Sequence, residues 1–363
     1  MTAGAVSAAT AGAGAASRAG RGAAAIAVAA AALVAAAIVS LAAGPVPIAP
    51  GRVVAILMRT LDPAAVDAVR DTIIVLDVRL PRTVLAILVG AATAVAGAVM
   101  QGLFRNPLAD PGIVGVSSGA GLAAALWIVL GAGVLGAALG PAAGLGLPAA
   151  AFLGGLAMTG LLQLIATRGG RTSVVVVLLA GIALTGFTSA MTGLLIFVSS
   201  DQELRDFTFW MLGSLGGATW IKVLLALPFA LGLAIVALLV ARGLDALSLG
   251  EADAQYSGVA VERVKRGAML GVAAGVGAAV AVSGVIAFFG LMVPHLVRLT
   301  LGPGHRLLLP VAALAGAALL ILADVFARTV AAPAELPLGV VTAAVGAPMM
   351  LWLLVRRMRD LDG

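Results

Sequence analysis

The sequence predicts an all-α, polytopic membrane protein with about ten transmembrane helices. Three observations carry that expectation. Of 363 residues, 62% are hydrophobic and only 10% are charged, whereas a soluble domain is roughly 45–50% apolar and about 25% charged. Too few charges exist to cover a soluble surface of this size, so the surplus apolar surface must face lipid. The apolar residues also form continuous runs of the length needed to cross a bilayer, about 20 residues, and do not alternate as barrel strands do.

Residues 1–22 are Ala/Gly/Ser-rich with Arg18 and Arg21, and read as a disordered cytoplasmic tail. The remainder, 23–363, reads as a single transmembrane domain. Its first run, 23–43, is too long for the apolar core of a signal peptide and is expected to be a retained span. Residues 44–81 mix arginines with aspartates and are expected to form an extramembrane loop with a short helix from Pro63. Further apolar runs follow at roughly 82–104, 113–135, 147–167, 174–198, 219–241, 267–284, 285–301, 308–328 and 338–355. The runs 267–284 and 285–301 abut without a polar break. Ten spans put both termini on one side. That side would hold the tail, Arg105, Arg168, Arg171, the 242–266 loop, Arg298, Arg306 and the basic C-terminus, which is the larger share of Lys and Arg. The positive-inside rule then makes it cytoplasmic. The net charge of +6 is scattered in this way and reads as membrane orientation, not nucleic-acid binding. The 47 glycines, most of them inside spans, let helix backbones approach closely in lipid and suggest a transporter or channel body.

Several chemistries are absent from the chain. A Walker A loop needs a lysine after glycine, but Lys222 follows Ile221 and Lys265 follows Val264. With no cysteine there is no disulfide or thiolate chemistry. His295 and His305 lack the H-E-x-x-H pattern and further ligands, so they are read as holding a loop at the interface, with no metal. Asp324 is the one acid near the end of an otherwise apolar run. An intramembrane acid is a functional hypothesis by default, but Arg328 stands at i+4, so an internal ion pair is the simpler expectation.

Three segments are more specific. The first carries Arg79-Leu80-Pro81-Arg82, then Gln101-Gly102-Leu103-Phe104-Arg105-Asn106-Pro107-Leu108-Ala109-Asp110-Pro111 and Gly115-Val116-Ser117-Ser118-Gly119; the prolines stop a helix. The second runs Phe289-Gly290-Leu291-Met292-Val293-Pro294-His295-Leu296-Val297-Arg298, through His305-Arg306, to Asp324 and Arg328. The third is Pro333-Ala334-Glu335-Leu336-Pro337-Leu338-Gly339. From about residue 70 to the C-terminus these resemble the FecCD family, the permease subunits of the vitamin B12, ferric-siderophore and haem ABC importers.

The resemblance implies a type II importer permease that pairs with a second copy of itself in the bacterial inner membrane. Two cytoplasmic ATPase subunits, which bind ATP and Mg, and a periplasmic binding protein complete the machine. The chain itself would be no enzyme and would hold no cofactor. Arg79, Arg82 and Arg328 match arginines that receive carboxylates of the binding protein. Gly250, Glu251, Ala254 and Gly258 match the helices that couple to the ATPase; Glu251 at a helix start and Gly258 as its stop fit capping rules. The family commonly has Leu where Ser257 stands. Gln101, Asn106, Pro107, Pro294, His295 and Asp324 belong to the structural motifs. Thr172, Ser173, Thr185, Thr188, Met191 and Thr192 are the polar minority around the 174–198 span, and either line a path at the dimer axis or pack as buried hydroxyls. The wording around 105–120 and Phe209-Trp210-Met211-Leu212-Gly213-Ser214-Leu215-Gly216-Gly217 is similar to haem permeases, which ranks the cargo as haem, then ferric siderophore, then cobalamin. An ion-coupled transporter would need paired intramembrane acids, and an intramembrane enzyme a nucleophile–base or metal constellation; neither is visible.

Overall fold

A computed structural model describes residues 3–60, 62 and 66–362. Helix α1 spans Ala3–Ala42. It is continuous through the segment expected to be an unstructured tail, consistent with the high helix propensity of alanine. After the short α2 (Pro50–Leu57), α3 (Ala68–Ile73) runs through a π-turn at Ile74–Arg79 straight into α4 (Leu80–Leu103). Pro63, where a short loop helix was expected, lies outside the described residues. The second half of the expected loop is therefore an extension of the next span.

Helix α5 (Val116–Leu126) continues through a π-turn into α6 (Ala132–Leu139), and α7 (Gly146–Ala166) follows. A two-residue hairpin, β1 (Thr167–Arg168) with β2 (Arg171–Thr172), leads to α8 (Val174–Val198). Helix α9 (Asp201–Met211) opens with a capping box, Ser200 and Glu203 bonding each other's backbone reciprocally. The remaining helices are α10 (Trp220–Leu247), α11 (Glu251–Tyr256), α12 (Val261–Ser283), α13 (Phe289–Leu301), α14 (His305–Val330) and α15 (Leu338–Asp362). Among the described residues, seven helices are long and apolar enough to cross a membrane, and three shorter apolar ones begin at Val116, Phe289 and Leu338. Each of the ten apolar runs falls on one of them.

Helices α4 and α12 form the centre, with α14, α10, α13 and α7 packed around them and α1 outside α14. Glycine sets these crossings. A Cβ on Gly90 of α4 would stand 2.5 Å from the Gly316 carbonyl oxygen of α14, and one on Gly97 would overlap the Gly290 carbonyl of α13. In lipid, such close backbone contact supplies much of the association energy. Helix α8 is the opposite case, with Leu179, Ile182 and Phe197 exposed.

Between α12 and α13 the chain is non-helical over residues 284–288. Helix α13 is only about 20 Å long at 1.5 Å per residue, and Gly290 at its start meets the middle of α4. The break is tolerated because it is covered by protein. Ser214 N–H donates to the Ser283 carbonyl (2.8 Å), and Leu338 and Gly339 N–H donate to Gly213 and Leu212 carbonyls (2.9 Å each).

Candidate functional site

Charged residues gather at the two ends of the bundle. At one end, Arg82 on α4 binds two acids at once. Its Nε lies 3.1 and 3.0 Å from the Asp324 carboxylate oxygens on α14, and its Nη2 lies 2.9 Å from Oδ1. Its Nη1 and Nη2 also donate to Glu335, in the α14–α15 connection, at 2.8 and 2.9 Å. This bidentate geometry is the strong form of the interaction. The Arg82 hydrogen bonds and charge hold the Glu335 carboxyl below the usual glutamate range, against partial burial.

The neighbouring arginines hold backbone. Arg79 donates to the carbonyls of Leu41 (2.7 Å), Ala42 (2.9 Å) and Val46. Arg328 donates to the Ser40 carbonyl (2.6 Å) and its Oγ (3.1 Å). Both satisfy the C-terminal end of α1, where carbonyls lack helical partners and cations are favoured. Ser40 Oγ lies 2.7 Å from Thr83 Oγ1.

Two features of these contacts go beyond the sequence reading. Arg79, Arg82 and Arg328, expected to face a binding protein, are buried, at 3%, 9% and 4% exposure. A guanidinium leaves water only where carbonyls or carboxylates receive it, and α1, Asp324 and Glu335 do so here. The i,i+4 pair of Asp324 with Arg328 exists at 3.7 Å, but Asp324's principal partner is Arg82. Sequence reasoning missed Glu335 as the second acid on Arg82, although it stands inside a motif already singled out.

At the other end, α11 is bounded by Gly250 (φ 129°) and followed by Gly258 (φ 82°), both in backbone that favours glycine. Ala254 is buried, whereas Leu249 and Tyr256 are exposed. Ser257, at the position where leucine is common, is exposed and returns its hydroxyl to the Asp253 carbonyl (2.8 Å). Buried Lys265 on α12 anchors the helix: its Nζ lies 2.7 Å from Glu251 Oε2, 2.9 Å from the Thr172 carbonyl and 3.4 Å from Glu262 Oε1. Thr172 N–H in turn donates to Glu262 Oε2 (3.0 Å). Lys265, Glu262 and Glu251 thus join α11, α12 and the hairpin, a junction the sequence reading missed.

The tentative path residues separate. Thr172 is buried in that junction. Ser173 caps α8 by accepting from Val176 N–H at 3.4 Å. Thr188 is buried and donates to its own helix at the Leu184 and Thr185 carbonyls. Of the six, only Thr185 is on the open face of α8, with Met191 and Thr192 half-buried. Among the motif residues, Gln101 Nε2 donates to the Leu291 carbonyl (3.0 Å), joining α4 to α13, and Asn106 Oδ1 accepts from Leu108 N–H (2.9 Å) beside Pro107. Pro294 is buried within α13, where His295 is half-buried. His305 Nδ1 lies 2.7 Å from Asp245 Oδ1, fixing the start of α14 to the end of α10.

The sequence model of the FecCD transport family matches residues 32–356. The chain belongs to the FecCD transport family. It is 47% identical to the hemin transport system permease protein HmuU of Yersinia pestis over 289 residues, 79% of this chain and 85% of that one. It is 46% identical to the cobalamin import system permease protein BtuC of Halobacterium salinarum over 283 residues, 78% of this chain and 73% of the other. A solved structure of an ABC transporter of metal-chelate type, in an inward-facing conformation, matches with a TM-score of 0.78 at 31% identity, covering 91% of this chain and 98% of that one. As a FecCD protein the chain is a multi-pass membrane permease subunit and is not itself an enzyme.

Proposed function

We propose that this FecCD permease is one half of a homodimeric, ATP-driven importer, and that its cargo is haem. The observation that carries the transport reading is α11, a short helix that exposes Tyr256, with Leu249 exposed just before it, yet is tied rigidly to the bundle through Lys265 and Glu251. A cytoplasmic ATPase subunit, binding ATP and Mg, would seat this helix and pass its motion to α12 and to the hairpin before α8. Both termini would then be cytoplasmic and the arginine end periplasmic. There a carboxylate of a substrate-binding protein would take the place of Glu335 on Arg82. The two permease copies would alternate access along the open face of α8.

The haem assignment rests on the HmuU relative and on the wording of the 105–120 and 209–214 segments. Cobalamin is the second reading, supported by a BtuC relative at nearly the same identity; ferric siderophores are the third, from the shared motifs. Uptake should be measured in vesicles holding the permease with its ATPase and binding protein. ATP-dependent accumulation of haem, and not of cobalamin or a ferric siderophore, is expected. Cobalamin or siderophore uptake alone would overturn the cargo, and no uptake of any of the three would overturn the importer.

A further inference from the structure

A cavity of about 260 Å³ opens at the α11 end of the bundle, between the end of α4, the end of α13 and the start of α14. Arg298 lines it from the last turn of α13, and Arg105 from the loop after α4. The Nε and Nη2 atoms of Arg298 are buried and have no hydrogen-bond partner. These two atoms form the planar fork that binds one oxyanion with two parallel hydrogen bonds. An unpaired guanidinium fork inside protein is costly, and it marks a place where a ligand completes the structure. The nearest acid, Asp245, is already engaged with His305.

A second unsatisfied atom faces the question of which oxyanion. Gln101 lines the same cavity and is 2% exposed. Its Nε2 donates to Leu291, so its Oε1 is fixed as the acceptor, and that oxygen is buried without a donor. The cavity thus offers a fork of donors for a phosphate and one acceptor for a hydroxyl. Beside Arg298 on the same helix, Leu299 is 62% exposed and gives an apolar landing for a chain. Basic pockets between helices on the cytoplasmic side suit anionic lipid headgroups.

We infer that this cavity binds the phosphate group of a hydroxyl-bearing anionic lipid, of the phosphatidylglycerol type, with Arg298 as its bidentate ligand and Arg105 as a second cation. Binding is independent of the transported cargo, so its test stands apart from uptake.

The full-length permease in phosphatidylcholine nanodiscs would be titrated with short-chain phosphatidylglycerol, with short-chain phosphatidylcholine and with inorganic phosphate. The readouts are the thermal midpoint and the lipids retained in native mass spectrometry. Phosphatidylglycerol should raise the midpoint, and Arg298→Gln should weaken its apparent affinity by roughly tenfold, as expected for losing one charged bidentate contact. Arg298→Lys should recover only part, because a point charge replaces a fork. If Arg298→Gln does not fold, Arg105→Gln, on an exposed loop, carries the same comparison. An equal response to inorganic phosphate would overturn the lipid assignment. So would an unchanged response in both variants, or stabilisation that appears only with the ATPase subunit whatever the lipid, which would make the cavity a protein contact.

Discussion

Lys265 Nζ lies 2.7 Å from Glu251 Oε2, so the first residue of α11 is bonded to the helix that runs through the middle of the bundle. Lys265 is 3% exposed, and its three acceptors come from α11, α12 and the hairpin.

Removing that lysine should separate coupling from folding. Lys265→Met leaves Glu262 and the Thr172 carbonyl without a cation, and a loss of about 3 kcal/mol is expected from breaking a largely buried pair. Glu251→Gln keeps a hydrogen-bond acceptor at a half-exposed position and should cost under about 1 kcal/mol. Cargo-stimulated ATP hydrolysis in the assembled importer should nevertheless fall in Glu251→Gln. Stimulation at the original level would show that the tie does not transmit. Deleting residues 250–258 should leave ATP hydrolysis running without transport, and intact uptake by that deletion would count against α11 as the coupling element.

The two acids on Arg82 should be unequal. Asp324 is 3% and Glu335 41% exposed at the side chain. Asp324→Ala strips the buried partner and should cost about 3–5 kcal/mol, whereas Glu335→Gln should cost about 1 kcal/mol or less. Thermal midpoints of the two purified variants would give the order. If a binding-protein carboxylate replaces Glu335 on Arg82 as proposed, Glu335→Gln should also tighten docking of the binding protein in a low-salt pull-down, and weaker docking would refute the competition. Reversing Arg82 and Arg328 to glutamate, by contrast, should destroy the fold.

The Arg82–Glu335 contact should also depend on pH. The Glu335 carboxyl is held below its ordinary pKa, mainly by Arg82. A depressed carboxylate contributes stability above its unfolded pKa and loses it as the pH falls through the lower, folded value. Hydrogen exchange across residues 331–337 should therefore quicken on acidification below the ordinary glutamate range. The same segment in Glu335→Gln should show a flat profile; an identical pH response in that variant would remove Glu335 as the cause.

Gly97→Ala should fail to assemble, because its Cβ would overlap the Gly290 carbonyl and overpacking costs at least about 1–3 kcal/mol. Gly232→Ala on α10 meets nothing within 4 Å and should stabilise by up to about 1 kcal/mol through helix propensity. Yields of folded, monodisperse protein would separate them.

The spans were legible because hydrophobic length is a local property of the chain: ten runs, ten helices. The S-x-x-E pattern of Ser200-Asp201-Gln202-Glu203 encodes the α9 capping box, although the sequence reading placed no helix there. The partners of Arg82 were not legible. Asp324 lies 242 residues away and Glu335 253, and local spacing points instead to a pair of Asp324 with Arg328, one helical turn along α14. For the same reason the burial of the motif arginines was not legible, because it depends on α1 and on the Asp324 and Glu335 carboxylates around them. The stop between α12 and α13 was legible only as the division between two abutting runs, because residues 284–288 are as apolar as the helices they separate, and the covering backbone of Leu212–Ser214 explains how the break survives in lipid.

Helix α1 is built of alanine and aliphatic residues over its C-terminal half, with Ser40 as the one polar side chain. Its end is nevertheless fixed, because Arg79 and Arg328 grip the carbonyls of Ser40, Leu41 and Ala42. Every amino acid possesses that carbonyl. The instructions for seating α1 are therefore written largely in other helices: apart from Ser40, whose hydroxyl meets Arg328 and Thr83, the last turn of α1 contributes a backbone that any helical residue would supply.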